Sequence, residues 1–361
     1  VRFDYVTTPF LTQSTSRMAP VGGGWAIVEA LGERAEKAGV EFFYETTARS
    51  LIQDARGAVV GLRAVGRDNA LREFGARGVV LASGGFQGNH EMLAQYFGRQ
   101  ALAMRPIARG GYYNKGEGIR MALAIGAAPR GDFGEFHAEP IDPRSGAPEP
   151  ANFIFCYGIL VNSAGQRFTD EARGPIDAHY EAVTRLINLQ AGGIAYSIFD
   201  AGLDEVPNWR TGMRSDEPPI EAATIGALAE GIGVPAAALE RTVAEYNRAC
   251  GDGAFKPLAP DGLATRELDP PKSNWARRID RPPYRCWPVT AANTFTFGGL
   301  AVDSDARVIN MDGEPIPGLY AAGETVGLYY KTYVGSTSVL KGAVFGRKAA
   351  LHDAARNGAS K

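Results

Sequence analysis

Three short stretches of this 361-residue sequence place small residues beside groups that can hold a ligand. Gly78-Val79-Val80-Leu81-Ala82 is a continuous apolar run that stops at Ser83-Gly84-Gly85. It reads as a buried parallel strand, and strand carboxyl ends are where open α/β sheets leave backbone uncovered for ligands. Tyr320-Ala321-Ala322-Gly323-Glu324 repeats the pattern and adds a carboxylate able to accept hydrogen bonds from ligand hydroxyls. Gly335-Ser336-Thr337-Ser338 opens a helix, whose free N–H groups and dipole favour negative charge. Each stretch alone is equally well a tight turn, an exposed turn carboxylate or a simple N-cap. The order and spacing of the three together carry the argument.

The elements that must position them follow from periodicity. Ile27, Leu31 and Ala35 lie at helical spacing after Gly22-Gly23-Gly24, and Gly39 suits the stop. Phe42–Tyr44, Arg49–Gln53 and Ala58–Ala64 read as strands. From about Arg105 to Arg285 proline and aromatic residues increase and strand–helix alternation fades. Helices are expected there at Gly116–Ile125, Ile176–Leu189, Ile225–Gly231 and Ala237–Ala249, with strands at Ile159–Asn162 and Ala195–Phe199. The proline-rich run from Pro270 to Pro283 reads as a connection back to the first domain. After Pro288 the alternation returns, with a hairpin of Leu300–Val302 and Arg307–Ile309 and a closing helix, Ser338–Ala355. The expected organisation is an α/β domain built from 1–104 and 286–361, with an α+β cap inserted at 105–285.

Composition narrows the function. Apolar residues make up 45% and charged residues 22%, as in a globular protein in water, and the 45 glycines fall in scattered clusters rather than a repeat. A net charge of −2 offers no basic face for nucleic acid. Cys156, Cys250 and Cys286 are isolated, without metal-ligand spacing, so no metal is expected and the thiols read as reduced. No apolar run is long enough for an intrinsic membrane span, which with the thiols points to a cytoplasmic protein.

In order, the motifs resemble the fumarate reductase/succinate dehydrogenase flavoprotein superfamily. Val79 to Phe86 is similar to its VVLATGGF segment; Phe297-Gly298-Gly299-Leu300 with Asp303 and Ala306-Arg307-Val308 is similar to xGGLxxDxxARV. Pro315 to Glu324 resembles xIPGLYAAGE, and Ser338-Val339-Leu340 with Phe345-Gly346-Arg347 resembles NSLL…FGR. Pro20–Gly24, Phe136-His137-Ala138, Thr294–Gly299 and Gly327–Tyr330 are most similar to the tricarballylate dehydrogenase branch.

The resemblance implies an FAD-binding fold and hydride exchange between flavin N5 and a carbon next to a carboxylate, on a small organic acid such as tricarballylate. A 3-ketosteroid-type Δ-dehydrogenase is the second reading, and a flavoprotein fragment without activity the third. A separate electron-transfer partner is compatible with it, and would bring membrane association if membrane-bound. The resemblance implies cofactor contacts at Ala82, Ser83, Gly84, Gly85, Gly116, Gly118, Gly298, Gly299, Gly323, Glu324, Ser338 and Val339. The helix N-terminus at Ser338 would face the charge of a reduced flavin.

His137 aligns with the carboxylate-binding histidine of the family's FHP motif, although Ala138 replaces the proline. Arg173, in Arg167-Phe168-Thr169-Asp170-Glu171-Ala172-Arg173, aligns at shifted spacing with the proton-shuttling arginine. Asp170 or Glu171 would hold it, and Arg185 is the fallback. Phe295 stands where the family has a histidine and Tyr333 where it has a carboxylate-clamping arginine. Tyrosine cannot reproduce that bidentate clamp, which disfavours simple fumarate or succinate turnover. Tyr333 joins the candidate catalytic groups, and Phe295, Thr296, Tyr329, Tyr330, Gly335 and Ser336 are the implied substrate contacts. The family also opens with a βαβ unit carrying GxGxxG. That motif does not occur between Val1 and Lys361, so the FAD-anchoring unit is expected to lie outside this sequence.

Overall fold

The computed structural model describes residues 1–5 and 18–358. The chain divides into two compact units, one of residues 1–42 and 138–292, the other of 43–137 and 293–361.

In the second unit, Val79–Leu81 pairs in parallel with Leu319–Ala321, and Pro315–Ala321 pairs antiparallel with Arg307–Ile309 on its other side. Segments more than 200 residues apart in sequence thus share one sheet. Gly318, at φ 79, crosses over the carbonyl of Val59, where any Cβ would collide with backbone. Thr47–Gln53, Val59–Val65 and Leu71–Gly75 form an antiparallel meander beside it. The helix Thr337–Gly358 packs on the Pro315–Ala321 strand, with Tyr320 donating to or accepting from His352 Nδ1 at 2.9 Å.

The first unit is organised by a long strand, Tyr284–Thr296, whose residues to Ala292 belong to it. Ile194–Phe199 and Ile220–Ala222 pair antiparallel with that strand on opposite sides, and Ile159–Val161 continues the sheet. Ile225–Ile232 and Ala236–Ala249 cover one core with Leu228, Leu239 and Tyr246. Ile176–Asn188 contributes Ile176, Val183 and Ile187 to the other, at the i, i+7, i+11 spacing of one helix face.

Several expectations are corrected. Phe42–Tyr44 is not a strand: it is exposed chain leading into a turn at Glu45, φ 49, and Phe43 finds an edge-on contact with Phe74 instead of a strand partner. The Leu300–Val302 and Arg307–Ile309 runs do meet as the expected antiparallel hairpin, with Ile309 N–H donating to Ala301 O and Asp303 N–H to Arg307 O, each at 3.0 Å. Gly299–Leu300 pairs with Pro129–Arg130, and the two runs meet through a Val302–Val308 bridge.

The division at 137/138 and 292/293 also differs from the expected 104/105 and 285/286. Residues 105–137 group with the glycine-rich sheet because their backbone is bonded there. Ile107 N–H donates to Asn293 O at 3.0 Å, Gly116 N–H to Gly85 O at 3.0 Å, and Gly118 N–H to Ser83 Oγ at 3.2 Å. Residues 1–42 group with 138–292, and the helix Gly23–Lys37 buries none of its side chains. The Pro270–Pro283 run is core rather than connection: Lys272 is fully buried and Trp275 3% exposed.

Candidate active site

The carboxyl end of the Val79–Leu81 strand releases Ala82 and Ser83 to the surface and then turns inward at Gly84, φ 77, and Gly85. A Cβ on Gly85 would lie 2.2 Å from Glu324 Oε1 and from Thr296 Oγ1, so only glycine lets these segments converge. Gly323, at φ 67, turns the neighbouring strand end so that Glu324 reaches back across the edge. Its Oε1 accepts from Thr296 N–H at 2.8 Å and its Oε2 from Gln87 Nε2 at 3.2 Å. Thr325 Oγ1 donates to Gly84 O at 3.1 Å, which ties the two turns together. Desolvation raises the Glu324 pKa, against the lowering effect of those donors and of the Lys341 ammonium.

Glu324 borders two cavities. One, of about 190 Å³, is lined by Phe295, Glu324, Ser338, Val339 and Lys341. It brings the acid, the helix N-terminus and a buried cation to one place. Lys341 is 4% exposed; its Nζ donates to Val326 O at 2.8 Å and stands 4.6 Å from the Tyr329 ring centroid. Burial pushes its pKa down to about 8, Glu324 opposing the shift. Lys341 was not marked by the sequence motifs; its position one helical turn after Ser338 was the available signal.

Beside this cavity lies an aromatic cluster. His137, 3% exposed, has its ring 4.5 Å from Tyr333 and 5.2 Å from Phe295. Phe295 also packs on Phe297 and Tyr329, and Tyr333 stands edge-on to Tyr329 at 5.5 Å. The Ser338 and Thr337 hydroxyls are engaged by these rings: Tyr333 OH lies 3.0 Å from Ser338 Oγ and Tyr329 OH 2.8 Å from Thr337 Oγ1. The wall is therefore pinned to the helix start. Tyr330, Gly335 and Ser336 are exposed, and Thr296 is fully buried, its backbone and hydroxyl turned to Glu324.

Other expected contacts have packing explanations. Gly298 accommodates the Phe133 ring and Gly299 the backbone of Thr325 to Gly327. Gly116 lies against Met92 and Phe86, and Gly118 against Ser83 Oγ.

Arg173 is exposed, with no hydrogen bond or ion pair among the described residues. The acids expected to hold it are committed elsewhere. Glu171 forms a two-point pair with Arg167, Nη2 to Oε2 at 2.7 Å and Nε to Oε1 at 3.0 Å, and accepts Leu160 N–H. Asp170 accepts from Ala172 N–H and from Ser273 N–H and hydroxyl. Arg185 pairs with Glu181 at 2.8 Å.

A sheet edge opened by glycines, an acid behind it and a helix N-terminus beside it form one candidate cofactor site. The residues fit FAD on this structure's own terms: exposed backbone at Ala82 and Ser83, half-buried glycines at Gly84 and Gly323, the Glu324 acceptor, and N–H groups at Ser338 and Val339. The chain belongs to the FAD binding domain family, whose sequence model matches residues 5–340, and the family's cofactor is FAD.

Among its relatives, the NADH:acrylate oxidoreductase of Vibrio harveyi is 33% identical over 90% of this chain and 31% of its own length. The urocanate reductase of Eggerthella lenta is 32% identical over 92% of this chain and 54% of its own. This chain thus spans about half or less of these relatives. A solved flavocytochrome c3 fumarate reductase in its open conformation superimposes with a TM-score of 0.74 at 26% identity, over 92% of this chain and 56% of that one. A 3-ketosteroid-Δ4-(5α)-dehydrogenase of Rhodococcus jostii gives 0.65 at 27%, over 97% and 70%. These relatives share the mixed α/β flavoprotein fold. No helix among the described residues is long and apolar enough to cross a membrane.

Proposed function

We propose that this protein is an FAD-dependent oxidoreductase that interconverts C–C and C=C bonds next to a carboxylate or carbonyl group. The observation that carries the proposal is the junction of the Glu324–Ser338–Lys341 cavity with the His137–Phe295–Tyr333 cluster. FAD, when bound, supplies the hydride donor and acceptor. Glu324 would accept hydrogen bonds from the cofactor's hydroxyls, while Ser338 and Val339 N–H groups and the Lys341 ammonium would balance its negative charge. His137 would donate to the substrate's carboxylate or carbonyl oxygen, and Tyr333, oriented by Ser338, would exchange the proton on the neighbouring carbon.

Tyr333 rather than Arg173 takes that role because its ring lies 4.5 Å from His137 and its hydroxyl is held by Ser338. A tricarballylate-like acid is the finer reading that the motifs favour. A steroid-type enone is the second, favoured by the phenol where the family's clamp arginine would stand and by the ketosteroid dehydrogenase likeness.

The test is stopped-flow reoxidation of the photoreduced holoenzyme by crotonate, aconitate and a 3-keto-4-ene steroid, and reduction of the oxidised enzyme by tricarballylate. Flavin turnover with none of them would remove the assignment, and the fastest identifies the class.

A further inference from the structure

The second cavity bordered by Glu324 has a different character. It holds about 220 Å³, and its lining includes Gln87, Ile107, Asn114, Asn293 and Thr294. Three of these present buried atoms without a hydrogen-bond partner: Gln87 Oε1, both amide atoms of Asn293, and Thr294 Oγ1. Asn293 is 1% exposed and Gln87 3%. A buried polar atom left unpaired is costly, and native proteins tolerate only a few such atoms. Four around one cavity are the mark of a site completed by something else.

The chemistry of the missing partner can be read from the atoms. Asn293 and Thr294 each both donate and accept. Gln87 offers its unpaired Oε1 as an acceptor, while its Nε2 already donates to Glu324. No lysine, arginine or histidine lines the cavity, and its one charged neighbour, Glu324, is an acid. An anion would be repelled there and would find no cation. A cationic group carries donors alone and would leave the Asn293 Nδ2 hydrogens unpaired. An uncharged group with an N–H or O–H and a carbonyl-type or hydroxyl oxygen satisfies the whole set. Glu324 lines both this cavity and the one that holds Phe295, Ser338 and Lys341, so a ligand held here adjoins the proposed reaction centre.

We propose that Asn293, Thr294 and Gln87 form a specificity subsite for the substrate. It selects molecules whose end remote from the reacting bond is an uncharged carboxamide or hydroxyl group and rejects those ending in a carboxylate. The inference rests on the C=C oxidoreductase reading and adds the far end of the substrate to it.

The experiment uses the full-length holoenzyme and two enoates that differ only at that end, 4-carbamoylcinnamate and 4-carboxycinnamate. Their dissociation constants are read from the flavin absorbance change. The carbamoyl compound is expected to bind tighter by about 10-fold or more, because a site built for hydrogen bonding leaves its own groups unpaired with the wrong partner. Asn293→Leu and the near-isosteric Thr294→Val should each bring the ratio toward one, with FAD affinity, followed by fluorescence quenching, unchanged. An equal or inverted preference in the wild-type enzyme, or a ratio unmoved by both variants, overturns the subsite. So does a loss of FAD affinity in the variants, which would assign the cavity to the cofactor. Crotonate has no remote end and reports on the reaction alone: if it reoxidises the reduced flavin while the ratio is unmoved, the subsite fails and the oxidoreductase reading stands. If it and both cinnamates fail to do so, that reading fails, while the binding ratio still decides the subsite.

Discussion

The imidazole of His137 lies 4.5 Å from the ring of Tyr333, whose hydroxyl is held 3.0 Å from Ser338 Oγ at the start of the Thr337–Gly358 helix. A buried imidazole and an oriented phenol are thus neighbours. Tyr333→Phe should lower kcat by about 100-fold, the low end of general acid–base effects, with substrate affinity nearly unchanged. His137→Ala should act mainly on KM, because it removes a donor present in ground and transition states alike. Arg173→Lys should be near normal. Steady-state kinetics of these three full-length variants checks the assignment, and a normal Tyr333→Phe with a collapsed Arg173→Lys would reverse it.

Glu324 should matter to the cofactor before it matters to catalysis. Removing its carboxylate leaves Thr296 N–H and Gln87 Nε2 without their acceptor and removes the acceptor proposed for the cofactor's hydroxyls. Glu324→Ala is expected to weaken FAD binding by about 10- to 100-fold, corresponding to roughly 1.4–2.8 kcal/mol. Glu324→Gln, which retains one acceptor, should fall between. Titration of apoprotein with FAD, followed by flavin fluorescence, gives the order directly.

Much of this site was legible because glycine and strand patterns leave few alternatives. Val79–Leu81 and Leu319–Ala321 read as buried strands ending in glycine, and they are paired in one sheet. The helix at Ile176–Asn188 and the pair at Ile225–Ile232 and Ala236–Ala249 also lie within a residue or two of their expected bounds. The unread features are long-range. Lys341 gains its meaning from Glu324 and Val326, and nothing in local spacing marks a lysine on a helix as buried. Asp170 and Glu171 looked like partners for Arg173 by adjacency, but Glu171 turns to Arg167 and Asp170 to Ser273, about a hundred positions away. Tyr284–Thr296 escaped notice because Pro288 interrupts its pattern; within the sheet it is still tolerated.

The Arg167–Glu171 pair predicts a stability effect separate from activity. Both side chains are almost wholly buried, at 4% and 0%, and Arg167 also donates to Pro270 O at 2.7 Å and Pro271 O at 3.0 Å. It fastens the 270–273 segment to the core of the first unit. Glu171→Gln or Arg167→Met leaves one buried charge uncompensated, at a cost of about 3–5 kcal/mol. Urea unfolding should show this loss, while the double variant Arg167→Met/Glu171→Leu should recover a good part of it. Equal losses in single and double variants would mean that the packing, not the charge, holds this corner.

Lys341 gives the last prediction, on pH. Its folded pKa is near 8, below the 10.5 of an unperturbed lysine. Below about pH 8 the ammonium is charged in both folded and unfolded chains, and the folded state bears the desolvation. Between about 8 and 10.5 the unfolded chain binds more protons than the folded one, so stability attributable to this residue rises with pH. The apoprotein should therefore gain on the order of 1–3 kcal/mol, relative to Lys341→Met, on going from pH 7 to pH 10.5. Comparing the two proteins removes the contribution of other lysines and tyrosines. Bound FAD should shift the transition upward, because a negative ligand beside Nζ favours the ammonium, and FAD affinity should correspondingly fall as pH rises through 8 in wild type but not in Lys341→Met. Parallel stability curves for the two apoproteins would place the Lys341 charge in water rather than behind the Glu324 cavity.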